Sequence, residues 1–335
     1  MKLAFLFPGQ GAQAVGMGRA LAEAHPAARA VFETADRVLN FRFTDLLWGG
    51  PEAELKKTVN AQPALLVHSV AALRLVERAG FHAAWSAGHS LGEYSACVAA
   101  GALTLEDALL LTRRRGELMY QAGIDRPGTM AAILGLSREQ VADVCEQAAG
   151  AGIVRTANLN APGQVVISGE IAAVENACEL AKAAGAKRAI RLEVSGAFPS
   201  PLMASAAAGL AAALERVQVR DAGSPVIANV SAQPVQKAAE LRAALEAQLL
   251  GAVRWEDSMR WLLAAGAERF VELGTGRVLR GLLRTIVPDA TSMNVDDPES
   301  LTATLTSSRI ARFAPAAFAS SQAFSTAAIS PEITT

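Results

Sequence analysis

Near residue 88 the chain passes from a strand pattern to a helix pattern within five residues, and that bend restricts the fold more than any other segment. His82 to Ala87 reads as a short strand, Gly88-His89-Ser90-Leu91-Gly92 follows, and a helix begins near Glu93. The pentapeptide fits G-x-S-x-G, a sharp strand-to-helix turn in which small glycines permit tight packing below and the serine hydroxyl is lifted clear of the sheet. A helix starting behind Ser90 also directs free N–H groups at any anion formed there. Five residues alone leave a reactive serine and an ordinary turn both open.

Such a bend needs a sheet with helices packed on it, and the rest of the chain supplies the parts. Lys2 to Phe7 reads as a buried strand that ends in the turn Pro8-Gly9-Gln10-Gly11. Helical patterns run through Leu39 and again from about Ala64 to Ala79, Ser200-Pro201 opens another helix, and Val226 to Val230 and Arg269 to Leu273 read as further strands. Strands alternating with helices predict an α/β fold, a doubly wound and mostly parallel sheet forming an α/β-hydrolase-like body. The middle has a different rhythm: strand Thr129 to Leu136, a helix capped by Ser137 and Gln140, strands Ile153 to Asn160 and Val165 to Ser168, a helix from Ile171 to Ala184, and strand Ala186 to Val194. That βαββαβ order predicts an inserted ferredoxin-like subdomain. The expected division is a large subdomain over residues 1–127 and 196–305, a small one over 128–195, and a disordered Ala/Ser/Thr-rich tail over 306–335.

Bulk properties narrow the function classes. With 335 residues, 51% apolar and 19% charged, the chain suits a globular fold with a substantial core. A net charge of −1 gives no global attraction to nucleic acid or anionic lipid, and two Tyr and four Trp are too few for a base-stacking surface. Cys97, Cys145 and Cys178 form neither a disulfide framework nor a zinc cage, which favours a reducing cytoplasm. No signal peptide, membrane span, metal site or phosphate loop is expected.

The longer string from Gly88 to Ala96, G-H-S-L-G-E-Y-S-A, is far more specific than its first five residues. It resembles the acyltransferase family of fatty-acid and polyketide synthesis, the malonyl-CoA:acyl carrier protein transacylases among them. Phe7 to Gly11, Arg115-Gly116, Asn160 to Gln164, Ser195 to Phe198 and Val271 to Gly274 resemble the same family, in order, across about residues 1–305. The resemblance implies ping-pong transfer of a malonyl group from malonyl-CoA to the phosphopantetheine thiol of acyl carrier protein. It implies Ser90 as nucleophile, the backbone N–H groups of Gln10 and Leu91 as oxyanion hole, and Arg115 as partner of the malonyl carboxylate, its planar fork suiting both oxygens. It implies that Phe198 narrows the pocket against α-branched acyl groups, that the backbone carbonyl of Gln248 orients a catalytic histidine, that no cofactor is needed, and that the chain is a monomer. Without the resemblance, Arg113, Arg114 and Arg115 read first as a solvated helix face.

The chain departs from the family at one position. The segment after Ser-Gly-Ala-Phe carries the family's catalytic histidine, and here it holds Pro199. Proline has neither a titratable group nor an acceptor nitrogen, so it can neither take the Ser90 proton nor return one to a departing thiol. The four histidines offer no clear substitute: His89 should diverge from Ser90, His68 sits in an apolar helix, His25 precedes Pro26, and His82 lies on the wrong side of the bend. The expectation is a well-folded protein with strongly impaired chemistry. Three other readings stay open. Gly9-x-Gly11-x-x-Ala14 after a strand fits a dinucleotide-binding loop, but Met17 to Leu39 reads as helix where that motif needs a second strand. A thioesterase would share the bend and suffer equally from Pro199. A non-catalytic binder of acyl carrier protein or CoA would not need the histidine at all.

Overall fold

The computed structural model describes residues 2–194 and 196–307, so the expected tail lies almost wholly outside the described residues. In chain order the body opens with β1 (Lys2–Phe7), α1 (Arg19–Ala24), α2 (Pro26–Leu39), α3 (Phe43–Gly49), α4 (Glu52–Lys56), α5 (Thr58–Arg78), β2 (Trp85–Gly88), α6 (Gly92–Ala99) and α7 (Leu105–Asp125). Then come β3 (Gly128–Leu134), α8 (Arg138–Ala148), β4 (Val154–Ala161), β5 (Gln164–Glu170), α9 (Ile171–Ala183) and β6 (Arg188–Arg191). The body resumes with α10 (Ala204–Leu214), β7 (Val226–Ile227), β8 (Pro234–Val235), α11 (Ala238–Ala247), α12 (Trp255–Ala264), β9 (Ala267–Leu273), α13 (Val278–Ile286), β10 (Thr291–Val295) and α14 (Pro298–Thr306).

Six strands form the main sheet in the order β10-β9-β1-β2-β7-β8, parallel throughout except for the β7–β8 pair at one edge. β1 is apolar along its length because both faces are covered, as parallel strands require. Leu3, Phe5 and Phe7 pack with α2, α5 and α6 on one side, while Ala4 and Leu6 pack with α12 and α13 on the other. Phe7 stands level with Gly88 in the β1–β2 ladder. The loops leaving these two strands therefore emerge side by side at the carboxyl edge of the sheet, where open α/β sheets form ligand crevices.

α5 begins at Thr58, six residues before the sequence pattern suggests, and carries Pro63 in its interior. Pro63 costs one helical hydrogen bond, and deep burial on most of the helix outweighs it. α5 is also the one described helix long and apolar enough to cross a membrane, with 89% of its apolar window buried inside the fold. A Cβ at Gly116 of α7 would lie 2.7 Å from Val59 Cα, so only glycine lets α7 approach α5 this closely.

The antiparallel sheet runs β4-β5-β3-β6, the ferredoxin-like order, with α8 and α9 packed on it. Ser137 and Gln140 form the expected capping box. Two sets of bonds tie this sheet to the body. Leu159 N–H donates to Val253 O at 2.9 Å and Val253 N–H to Ala157 O at 2.8 Å. Arg138 donates to Asp257 and Glu256, both at 3.0 Å.

Several boundaries differ from the sequence reading. β2 starts at Trp85 rather than His82, β6 spans four residues rather than nine, and the strand expected over Val226 to Val230 shortens to β7. Ser200-Pro201 opens a single 3-10 turn, Pro201–Met203, and the α-helix proper starts at Ala204. β8 and β10 were not legible: β8 has two residues, and β10 (TSMNV) mixes polar residues at an edge.

Glu272, at the end of β9, is 1% exposed and accepts from the N–H groups of Leu279 and Arg280, satisfying the start of α13. Burial pushes its carboxyl up to about 7. The native state therefore holds a proton that the unfolded chain releases near its ordinary value, so stability falls as pH rises from about 4.5 to about 7. Glu272→Gln should remove up to about 1–3 kcal/mol of that fall. Urea midpoints at pH 5 and pH 7.5 check this: an unchanged difference in the variant would show that the carboxyl does not titrate there.

Candidate active site

Ser90 sits at the carboxyl edge of the sheet with φ of 51°, a left-handed conformation unusual for a residue with a side chain. Two glycines make the bend possible. A Cβ at Gly88 would fall 1.9 Å from Gly92 C, and one at Gly92 would fall 2.1 Å from Phe7 O. The buried Asn229 braces the turn: its Oδ1 accepts from Ser90 N–H and its Nδ2 donates to Gly88 O, both at 2.7 Å.

The close α5–α7 approach delivers Arg115 to this serine. Arg115 is 3% exposed; its Nη1 donates to Gln62 Oε1 at 2.8 Å, and its Nη2 donates to Gln248 Oε1 at 2.9 Å and Ser90 Oγ at 3.3 Å. Burial alone works against its charge. The solvated-face reading fits its neighbour Arg114, which is exposed and pairs with Glu117 at 3.4 Å. The Gln248 amide also donates to Ser90 O at 2.9 Å and to Glu93 Oε2 at 2.5 Å. The bonds that place Gln248 in the site come from its side-chain amide, a contact the sequence reading did not anticipate. Glu93 is buried on α6, and desolvation pushes its carboxyl up to about 7.

Ser90, Leu91, Arg115, Gln10 and Phe198 line one cleft of about 420 Å³, whose far wall comes from the small sheet and its exit loop through Met130, Asn158, Leu192 and Val194. The Gln10 side chain is anchored to Thr58 Oγ1 at 3.0 Å. Among the described residues the backbone N–H groups of Gln10 and Leu91 donate to no other backbone group. Pro199 follows Phe198 and is buried; its carbonyl accepts from Ser168 Oγ at 2.5 Å.

No imidazole bonds to Ser90 among the described residues. His89 lines the same cleft, but its Nε2 lies 2.8 Å from Asn160 Oδ1 and its ring packs against Trp255. His68 is fully buried with Nε2 at 2.9 Å from Asp296 O. His25 lies between α1 and α2, and His82 is exposed ahead of β2.

The profile of the acyl transferase domain matches residues 4–284. The chain belongs to the acyl transferase domain family. A malonyl CoA-acyl carrier protein transacylase of Bacillus subtilis is 47% identical to this acyltransferase over 301 residues, covering 90% of this chain and 95% of the relative. One from Escherichia coli is 42% identical over 305 residues, covering 91% and 99%. The crystal structure of an acyl-carrier-protein-S-malonyltransferase from Bartonella henselae superposes with a TM-score of 0.88 at 43% identity, covering 91% of this chain and 98% of that one. A malonyl-transacylase solved in complex with its type II PKS acyl-carrier protein gives 0.87 at 42% identity, covering 90% and 98%.

Gln62, Glu93, Asn160 and Asn229 belong to the site, and sequence reasoning gave them no role. Glu93 and Asn160 stood inside quoted motifs, so a signal was present. Gln62 lies just ahead of the helix pattern read from Ala64, and Asn229 inside a short strand pattern; neither stood in a motif.

Proposed function

We propose that this acyltransferase moves a malonyl group from malonyl-CoA to the phosphopantetheine thiol of acyl carrier protein through an ester on Ser90. One observation carries the reading: a serine hydroxyl on a left-handed bend lies 3.3 Å from a buried guanidinium that is held by two neutral amide oxygens. Ser90 Oγ attacks the thioester carbonyl, the N–H groups of Gln10 and Leu91 receive the developing oxyanion, and CoA leaves as thiol. The carrier thiol then attacks the ester and frees the serine. Arg115 fixes the malonyl carboxylate, and Phe198 limits the width at the α-carbon. No cofactor enters, since the CoA thioester is itself a substrate. Residues 1–127 with 196–305 form the large subdomain that carries the chemistry, and 128–195 form the small one that closes the cleft. The protein works as a monomer in the cytoplasm, in keeping with its three free cysteines.

Pro199 leaves the Ser90 proton without an imidazole to receive it, so turnover is strongly reduced. The same residue favours a second reading, a carrier-protein or CoA binder without turnover. A thioesterase reading is weaker, because hydrolysis has no use for the guanidinium. Intact mass after incubation with malonyl-CoA separates them. A malonyl adduct is expected, absent from Ser90→Ala. No adduct, together with binding of holo-carrier protein on titration, would establish the binder instead.

A further inference from the structure

A guanidinium that is to grip a substrate carboxylate must be held firmly yet left unpaired, and buried arginines are ordinarily held by carboxylates. Arg115 is an exception. Among the described residues no carboxylate touches it; its two terminal nitrogens rest on the amide oxygens of Gln62 and Gln248. A carboxylate is close by, but one amide away. Gln248 Nε2 donates to Glu93 Oε2 and to Ser90 O, while Gln248 Oε1 accepts from Arg115. Glu93 is itself held by the N–H of Asn229 at 3.4 Å, from the same residue that braces the Ser90 bend.

This arrangement fixes which way the Gln248 amide points. Both Glu93 and the Ser90 carbonyl are acceptors, so the amide nitrogen must face them and the amide oxygen must face Arg115. Turned over, the amide would set nitrogen against guanidinium and oxygen against carboxylate. The Ser90 carbonyl supplies one neutral acceptor, whereas Glu93 supplies the shorter bond and, when ionised, a charged acceptor. Glu93 also offsets part of the burial that acts against the Arg115 charge, without occupying the face of the guanidinium.

We infer that Glu93, acting through the Gln248 amide, is a positioning residue that presents Arg115 to the acyl carboxylate with its charge unpaired. The inference rests on the reading of Arg115 as the carboxylate partner, and the test separates the two. Dissociation constants for malonyl-CoA and acetyl-CoA are measured by calorimetry in the full chain carrying Ser90→Ala, which prevents acylation. Arg115→Ala in that background should erase the malonyl preference; if the preference persists, both readings fall. With that control satisfied, Glu93→Gln should lower the malonyl-to-acetyl affinity ratio about tenfold, the scale of one charge-assisted hydrogen bond. A merely structural Glu93 would change both affinities together or the melting temperature alone, and an unchanged ratio would overturn the inference while sparing the role of Arg115. Should Glu93→Gln fold poorly, the double variant Glu93→Gln/Gln248→Glu keeps the buried carboxylate but moves it onto Arg115. Loss of the malonyl preference is expected there, and its retention would overturn the inference.

Discussion

Replacing Pro199 with histidine should raise malonyl transfer by on the order of 10³-fold, toward the lower end of what loss of the base in a serine–histidine pair costs. A thioester is an activated donor with a good leaving group, so the serine can still react slowly without a base, and the gain falls short of the largest known effects. The loop around position 199 is tethered through its backbone and Ser200. Its bond from Ser168 goes to the main-chain carbonyl of residue 199, and the Ser200 hydroxyl is tied to Ala197 O at 2.7 Å, so neither tether uses the proline ring. Position 199 also directly follows Phe198, which already faces the cleft. Stopped-flow transfer to carrier protein, compared across a pH range, measures the effect. A histidine that acts as base should add a rise in rate near its ordinary titration range beyond any pH dependence of the parent. Equal rates and equal pH profiles would mean that another group already accepts the proton.

The second large effect concerns Arg115. Arg115→Ala should reduce the preference for malonyl-CoA over acetyl-CoA, in rates of Ser90 acylation, by about 10²–10³, because truncating one partner of a buried charge pair costs about 2–5 kcal/mol. Arg115→Lys should retain part of the preference, since an ammonium supplies charge without the fork. The alanine variant should also melt earlier: the amide oxygens of Gln62 and Gln248 lose their donor in a buried place, at about 1–3 kcal/mol each. Acylation rates normalised to folded protein separate the two effects. Equal loss of malonyl and acetyl transfer would assign Arg115 to the fold rather than to the substrate.

The fold was legible because its elements depend on local patterns. An apolar run, a G-x-S-x-G bend and a capping box each carry their own signature in a few neighbouring residues, and β1, the bend at Ser90 and the cap at Ser137 came out as read. Misplaced boundaries trace to signals that tertiary packing overrode. Pro63 looks like a stop yet lies inside α5, and the residues after Ile227 are apolar enough for a strand yet turn back toward β8. The site was legible where a motif reached it and silent elsewhere. Ser90 and Arg115 stand 25 residues apart, yet their contact follows from a helix pair that meets at Gly116. Gln62 and Asn229 come from segments with no motif, and their importance lies in which buried polar atoms they satisfy, a property of three-dimensional surroundings that no spacing records.

The level pairing of Phe7 with Gly88 sets the scale of everything above it. The loops that carry Gln10 and Leu91, the amides proposed to receive the oxyanion, leave neighbouring strands of one ladder and so start one strand spacing apart. The opposite wall comes from a separate antiparallel sheet and its exit loop. Substitutions at Met130, Leu192 or Val194 would therefore alter the cleft on that wall while leaving the Ser90 bend, which is built from the parallel sheet, untouched.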